Sequence, residues 1–165
     1  MSQNLQGGTY SFLDVNASII GPGGSFSLGS GAGAAEEGIT TALREEKNTL
    51  TIGADGSAMN SLHAGQSGKI TVRLLKTSYV NKLLSQMYNL QKQSSASWGL
   101  NVISIANPIS GDSIVGTYCA FEKHPDINYA KEAGMIEWDF SVGILEQSLG
   151  GTILTNLASF GAGSV

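Results

Sequence analysis

The chain has 165 residues, of which 22 are glycine and only 13% are charged, with a formal charge of −4 and a single cysteine, Cys119. One domain with a real core is expected at this length. Low charge argues against a disordered acidic segment, the negative balance against a phosphate-binding footprint, and the lone cysteine against an internal disulfide framework.

Along Tyr10–Ile20, Leu13, Val15, Ala17 and Ile19 alternate with Asp14, Asn16 and Ser18, which predicts a strand. Gly21-Pro22-Gly23-Gly24 predicts a turn, and Ser25–Leu28 a short return strand. Gly29–Ala35 (GSGAGAA) reads as a flexible stretch. Gly38–Leu43 and Asn48–Ala54 read as the two strands of a projecting hairpin with Arg44, Glu45, Glu46 and Lys47 at its tip. After a turn at Ala54–Ser57, the stretch Ser57–His63 is expected to pair with the strand at Lys69 through Gly65–Gly68.

Lys69–Gln93 organises the rest. Ile70, Val72 and Leu74 alternate with Thr71, Arg73 and Leu75 in a half-buried strand. Thr77 or Ser78 then offers a cap to a helix whose stripe is Val80, Leu83, Leu84, Met87, Leu90 and Gln91. This is the one convincing helix. A polar linker, Gln93–Ser97, leads to a buried strand over Trp98–Ala106 and a turn at Asn107–Asp112. Ser113–Glu122 is β-branched and aromatic, and Lys123–Ala133 is a charged loop. Met135–Leu145 is the cleanest strand, with Ile136, Trp138, Phe140, Val142 and Ile144 on one side and Glu137, Asp139 and Ser141 on the other. The pattern fades from Gln147.

The fold class is therefore mainly β with one α-helix, an antiparallel β-sandwich or split β-barrel flanked by that helix. The whole chain, 1–165, is one domain: N-terminal strands and projecting hairpin (10–54), strand–helix unit (69–93), C-terminal strands (98–146) and a tail (147–165). No apolar run reaches the roughly 18 residues of a membrane span, and no basic or apolar leader is visible, so a cytoplasmic chain fits. Trp98, Trp138 and Phe140 are expected core anchors; a sugar-stacking platform is the other reading of the tryptophans.

No catalytic, cofactor or metal site is expected. Gly65-Gln66-Ser67-Gly68-Lys69 resembles part of a phosphate loop but runs into Ile70. Gly29–Gly33 precedes no helix. His63 and His124 lack metal-ligand spacing. Cys119 fits a small core residue better than a nucleophile, and Glu137 and Asp139 fit a solvated strand face better than a carboxylate pair. The Asn16-Ala17-Ser18 sequon has no use in a cytoplasm.

Ala35–Met87, and within it GKITVRLLKTSYVNKLL, resembles the tail tube proteins of long-tailed bacteriophages, in particular the small subunits of contractile tails. Gly111–Phe140 shares their outline of spaced Gly, Cys, Lys-x-Pro, Tyr and Glu-Trp residues. The resemblance runs from about Tyr10 to Gly150. It implies a structural virion protein, not an enzyme. Six subunits would form a ring whose inner strands join into one continuous β-barrel, and rings would stack into a hollow tube through which DNA passes to the host. The implied partners are further copies of the chain, a tape-measure protein, baseplate or tail-tip proteins, a tail terminator, and a sheath if the tail contracts. The subunit itself would not insert in a membrane, and assembly would occur in the bacterial cytoplasm. On that view Arg44, Glu45, Glu46 and Lys47, with Gly29–Ala35, would make ring-to-ring contacts. Thr41, Thr49, Thr51, Thr71, Glu137 and Asp139 are candidate lumen residues. Other particle subunits (a terminator or decoration protein) and a carbohydrate-binding module remain alternatives at this level.

Overall fold

A computed structural model describes residues 8–150, less the side chains of 34–37. The elements follow in the order β1 (Asn16–Gly21), β2 (Gly24–Ser27), β3 (Ala34–Leu43), β4 (Asn48–Ile52), β5 (Ala58–Leu62), β6 (Gly68–Leu75), α1 (Val80–Gln91), β7 (Asn101–Asn107), β8 (Asp112–Phe121) and β9 (Met135–Ser148). Seven strands form one antiparallel sheet in the order β2-β1-β7-β8-β9-β6-β3, and β4 and β5 pair only with each other. The sheet stays open, with β2 and β3 at its edges.

The sheet is strongly curled. β3 and β8 are separated in the sheet by β9 and β6, which in a flat sheet places them about 14 Å apart. Yet Ile39 and Thr41 of β3 line the same cavity as Ile105 of β7 and Ile114 of β8. Curling makes one face concave. That face holds Ala17 and Ile19 from β1, Ile70, Val72 and Leu74 from β6, Ile103 from β7, Cys119 and Phe121 from β8, and Trp138, Phe140 and Val142 from β9. Rings pack at its centre: centroid to centroid, Phe121 lies 4.8 Å from Phe140, tilted against it, and 5.8 Å from Trp138, edge-on. Full burial of each such side chain contributes on the order of 2 kcal/mol.

α1 covers part of this face. Val80, Leu84, Met87 and Gln91 are buried at helical spacing, while Leu90 at the edge of the expected stripe is exposed. Of the two expected caps, Ser78 serves: its Oγ accepts from the Val80 amide at 3.2 Å and donates to the Ala32 carbonyl. Trp138 Nε1 donates to Asn81 Oδ1 at 3.0 Å, so the largest core residue also fastens the helix. At the helix end, Gln91 and Asn101 are both fully buried and exchange amide hydrogen bonds of 2.7 and 2.9 Å.

Six local expectations are corrected. The strand predicted from Tyr10 starts only at Asn16, because the Ser11 hydroxyl accepts from the Leu13 amide and caps a 3-10 turn over Phe12–Asp14. Leu13 is consequently exposed. Gly29–Gly33 is a hydrogen-bonded turn rather than a loose linker: Ser30 donates to Val15 and Ala32 to Gly29, and Leu28, Gly29 and Ala32 are buried. No hairpin joins 38–43 to 48–54, because β3 pairs with β6 and β4 with β5. For the same reason Ser57–His63 does not pair with the strand at Lys69. The strand expected to begin at Trp98 begins at Asn101, and the final strand continues past Leu145 to Ser148. Residues 151–165 of the expected tail lie outside the described residues.

Candidate assembly surfaces

The β4–β5 ribbon stands away from the sheet as an arm. It belongs to no other sheet, and nearly every residue along it is exposed. Leu50, Ile52, Met59 and Leu62 are between 57% and 85% exposed. An isolated two-stranded ribbon is marginal in water. Four large apolar side chains left open on one add a standing cost that contact with another surface removes. The tip is Asp55-Gly56-Ser57, where the Asp55 carboxylate accepts from the Ser57 amide at 3.0 Å and Gly56 takes a φ of +89°. Those Ser57 hydrogen bonds hold the Asp55 carboxyl below its ordinary pKa.

Arg44, Glu45, Glu46 and Lys47 therefore lie at the root of the arm, not at its tip. Two of the four tie the root to the body, and Lys47 ties the two sides of the root to each other. Arg44 pairs with Glu122, Glu45 Oε1 accepts from Ser67 Oγ at 3.1 Å, and Lys47 Nζ donates to the His63 carbonyl at 3.3 Å. Thr49 Oγ1 lies 2.6 Å from His63 Nε2 and closes the first rung of the ribbon.

The convex face of the sheet carries a second feature. On β6, Lys69, Thr71 and Arg73 point away from the core; their register partners on β9 are Ser141, Asp139 and Glu137. Thr71 Oγ1 donates to Asp139 Oδ1 at 2.7 Å, and Arg73 bridges Glu137 at 3.3 Å and Thr40 at 2.7 Å. Lys69 Nζ lies 3.6 Å from Asp139 and 3.8 Å from Glu122. Ser141 Oγ donates to the same Glu122, at 3.1 Å. Three cations (Arg44, Lys69, Arg73) and three acids (Glu122, Glu137, Asp139) thus interlock across β3, β6, β9 and the end of β8.

The structure brings Thr71, Glu137 and Asp139 together on this face and separates the other three. Thr41 pairs in register with the core residue Ile70, faces the cavity and donates to Gln147 at 2.7 Å. Thr49 and Thr51 lie on the arm. Lys69, Arg73 and Glu122 are members that sequence reasoning missed; the cross-strand register that joins them is a tertiary property, and only the alternation of β6 hinted at it.

The tryptophans are structural here. Trp138 is 1% exposed, and Trp98 is half-buried with its ring 6.0 Å from Tyr88, edge-on, against the core. Trp138 offers no face to a sugar, while Trp98 also lines an open cavity beside Lys92 and Ser95. Cys119 is fully buried, and burial pushes its thiol pKa up to about 11 from 9.0, which starves it of the thiolate a nucleophile needs. His63 sits on the arm root, whereas His124 packs between Tyr88 and Trp138, so neither histidine shares a site with the other. No cluster able to hold a metal is present among the described residues.

The family model of the bacteriophage PhiTE tail tube protein matches residues 7–150. No curated protein sequence matches the chain. Among solved structures, the tail of an empty GTA particle with C6 symmetry is 14% identical, with a TM-score of 0.54, covering 88% of this chain and 100% of the other. The sheath–tube complex of an extracellular contractile injection system (PVC, extended state) is 11% identical, with a TM-score of 0.52, covering 82% and 88%. The tube-terminating cap of the anti-feeding prophage is 10% identical, with a TM-score of 0.51, covering 91% and 97%. At these identities the likeness shows the fold, which tubes and caps share; the family match is what distinguishes them.

Proposed function

The chain belongs to the bacteriophage PhiTE tail tube protein family, and we propose that its copies build a tube by pairing sheet edges around a ring and by arm contacts between rings. The chain is a structural subunit of a phage tail tube and a component of the virion. β2 and β3 leave one row of backbone donors and acceptors each without a partner strand. Joining the β2 edge of one copy to the β3 edge of the next satisfies both rows and extends the curled sheets into one barrel. The six-fold symmetry of the GTA tail supports six copies per ring.

The arm supplies the contact between rings. The supporting observation is its exposure: Leu50, Ile52, Met59 and Leu62 are each more than half exposed. Arg44, Glu45 and Lys47 set the arm's angle from its root, and Glu46 remains a candidate for direct contact with the next ring. The ionic face lines the channel, because the core and α1 occupy the opposite one, and the joins between copies supply the inward bend that the curl within one copy opposes. Its three cations and three acids cancel, so the wall offers passing DNA neither a sticky nor a strongly repelling surface. α1 with Lys82 and Lys92 then faces outward, toward a sheath where the tail contracts. A tape-measure protein inside, and a baseplate and terminator at the two ends, complete the set of partners.

Negative-stain electron microscopy of the purified protein, alone and with its tail-tip nucleus, tests this. The intact chain should give hollow tubes or six-fold rings. A variant with residues 49–61 replaced by a short glycine linker should give rings that do not stack. Normal tubes from that variant would remove the arm from the stacking role, and persistent monomers of the intact chain beside its nucleus would overturn the tube assembly as drawn.

A further inference from the structure

The edge strand β3 is not uniform along its length. It pairs with β6 from Ile39 to Leu43 and again at Ala34, and the register shifts between the two stretches. Ala34 stands opposite Leu74 and Ile39 opposite Val72, so the backbone of 35–38 faces Arg73 alone. Gly38 takes a φ of +63° there, in the left-handed region. A bulge of this kind kinks its strand and interrupts the ladder. The regular part of the β3 edge is therefore 39–43, which nearly matches the 4 residues of β2.

Direction follows from counting. The sheet has 7 strands, and every neighbouring pair in it is antiparallel. With an odd number, the first and last strands, β2 and β3, run the same way. Rotation about a ring axis preserves that direction. We infer that the join between copies is a parallel seam in an otherwise antiparallel barrel, with Gly24–Ser27 of one copy beside 39–42 of the next and Gly24 level with Ile39; this rests on the edge-joined ring proposed above.

The faces of the two strands select that register. Phe26 and Ile39 pack against the core, and Thr41 faces the cavity on the same side. Ser25, Ser27 and Thr40 are exposed, and Thr40 meets Arg73 on the ionic face. Side chains alternate with period 2, so a slip of one residue sets Phe26 level with Thr40 of the opposite face. A slip of two either carries Gly24 into the bulge or carries Ser27 past Leu43 to the root of the arm. Only the register with Gly24 level with Ile39 keeps all of β2 on regular edge with core beside core. The bulge thus acts as a stop for the neighbouring copy.

Two full-length double variants test the seam after assembly with the tail-tip nucleus and mild oxidation. Adjacent strands lie about 4.8 Å apart, within the Cα separation that a disulfide takes. Ser25→Cys/Thr40→Cys places two thiols side by side across a parallel join. Ser27→Cys/Thr40→Cys leaves them about 8 Å apart there but side by side in an antiparallel join of the same extent. Cys119 is fully buried and takes no part. The first variant should give a ladder of crosslinked copies, up to six, on a non-reducing gel, and the second none. The reverse result would make the join antiparallel, and ladders from both would mean that the bulge sets no stop; each overturns the inference. No ladder from either variant, in samples where microscopy shows rings, overturns the seam and leaves the ring standing. A parent chain that forms no rings beside its nucleus overturns the ring itself, and the seam with it.

Discussion

Replacing Asn101 with leucine removes one half of the buried amide pair that ties the end of α1 to the sheet. Asn101 Nδ2 donates to Gln91 Oε1 at 2.9 Å and to the Cys119 carbonyl at 3.2 Å, and its Oδ1 accepts from Gln91 Nε2 at 2.7 Å. Gln91 keeps its bond to the Pro22 carbonyl, 2.8 Å away. Three hydrogen bonds disappear, and the Gln91 oxygen and the Cys119 carbonyl stay buried without those donors. At 1–3 kcal/mol for each of the two orphaned acceptors and about 1 kcal/mol for the third bond, less about 1 kcal/mol returned by leucine burial, the loss comes to roughly 2–6 kcal/mol. For a chain of this size that lowers the melting temperature by about 4–24 °C. The double variant Gln91→Leu/Asn101→Leu removes both partners and should cost clearly less than the sum of the single variants, because no amide is then left facing leucine. Urea unfolding of the four proteins gives the coupling. Additive single effects, or an Asn101→Leu protein within about 0.5 kcal/mol of the parent, would refute the premise that the pair is a satisfied buried unit. Because Gln91 also holds Pro22, in the turn between β1 and β2, the double variant, which removes that bond, should weaken ring formation through the geometry of the β2 edge.

Other outcomes are expected. Leu50→Glu/Met59→Glu on the arm should shift monomer stability by no more than about 0.5 kcal/mol yet stop stacking, as read by urea melts and microscopy. Thr71→Val deprives Asp139 of its hydroxyl donor beside Lys69 and should cost about 1–2 kcal/mol in the same melts. Cys119 should resist a thiol reagent at pH 8 until the chain is unfolded. Its folded pKa, about 11, lies above the ordinary 9.0. The linked stability is therefore full below pH 9 and falls as pH rises toward 11, by up to about 2–3 kcal/mol, and Cys119→Ala should flatten that slope.

The strand–helix unit at 68–91 was legible because period-2 and period-3.6 patterns adjoin there without interruption, and a serine marks the boundary. What failed was partner choice. Ile39, Thr41 and Leu43 alternate in the same way as Leu50 and Ile52, and alternation shows that a segment is extended without saying what it pairs with. The four charged residues between them resembled a tip, while the true tip, Asp55-Gly56-Ser57, read as one more turn. That Leu50 and Ile52 lie open is not legible at all, since a sequence does not show that an apolar side chain lacks cover. Leu13 was misplaced by a single serine hydroxyl. The ionic face was half legible: Glu137 and Asp139 stood out on their strand, but Lys69, Arg73 and Glu122 join them only through register. Gln91 stood out as the polar end of the stripe, though its partner Asn101 did not.

The two free edges of the sheet are unlike each other: β2 has 4 residues and β3 has 10. An edge of one kind joined to an edge of the other is a head-to-tail union and cannot close as a two-fold pair. Repetition either returns to its start or winds on without end, and the choice rests on the angle each subunit turns, about 60° in a six-fold ring. That angle is set by the curl of each sheet together with the bend at each join. A core substitution that flattens the sheet slightly, far from either edge, would therefore act on the roundness of the assembly: incomplete arcs, rings of a different number, or open spirals, from subunits that fold normally.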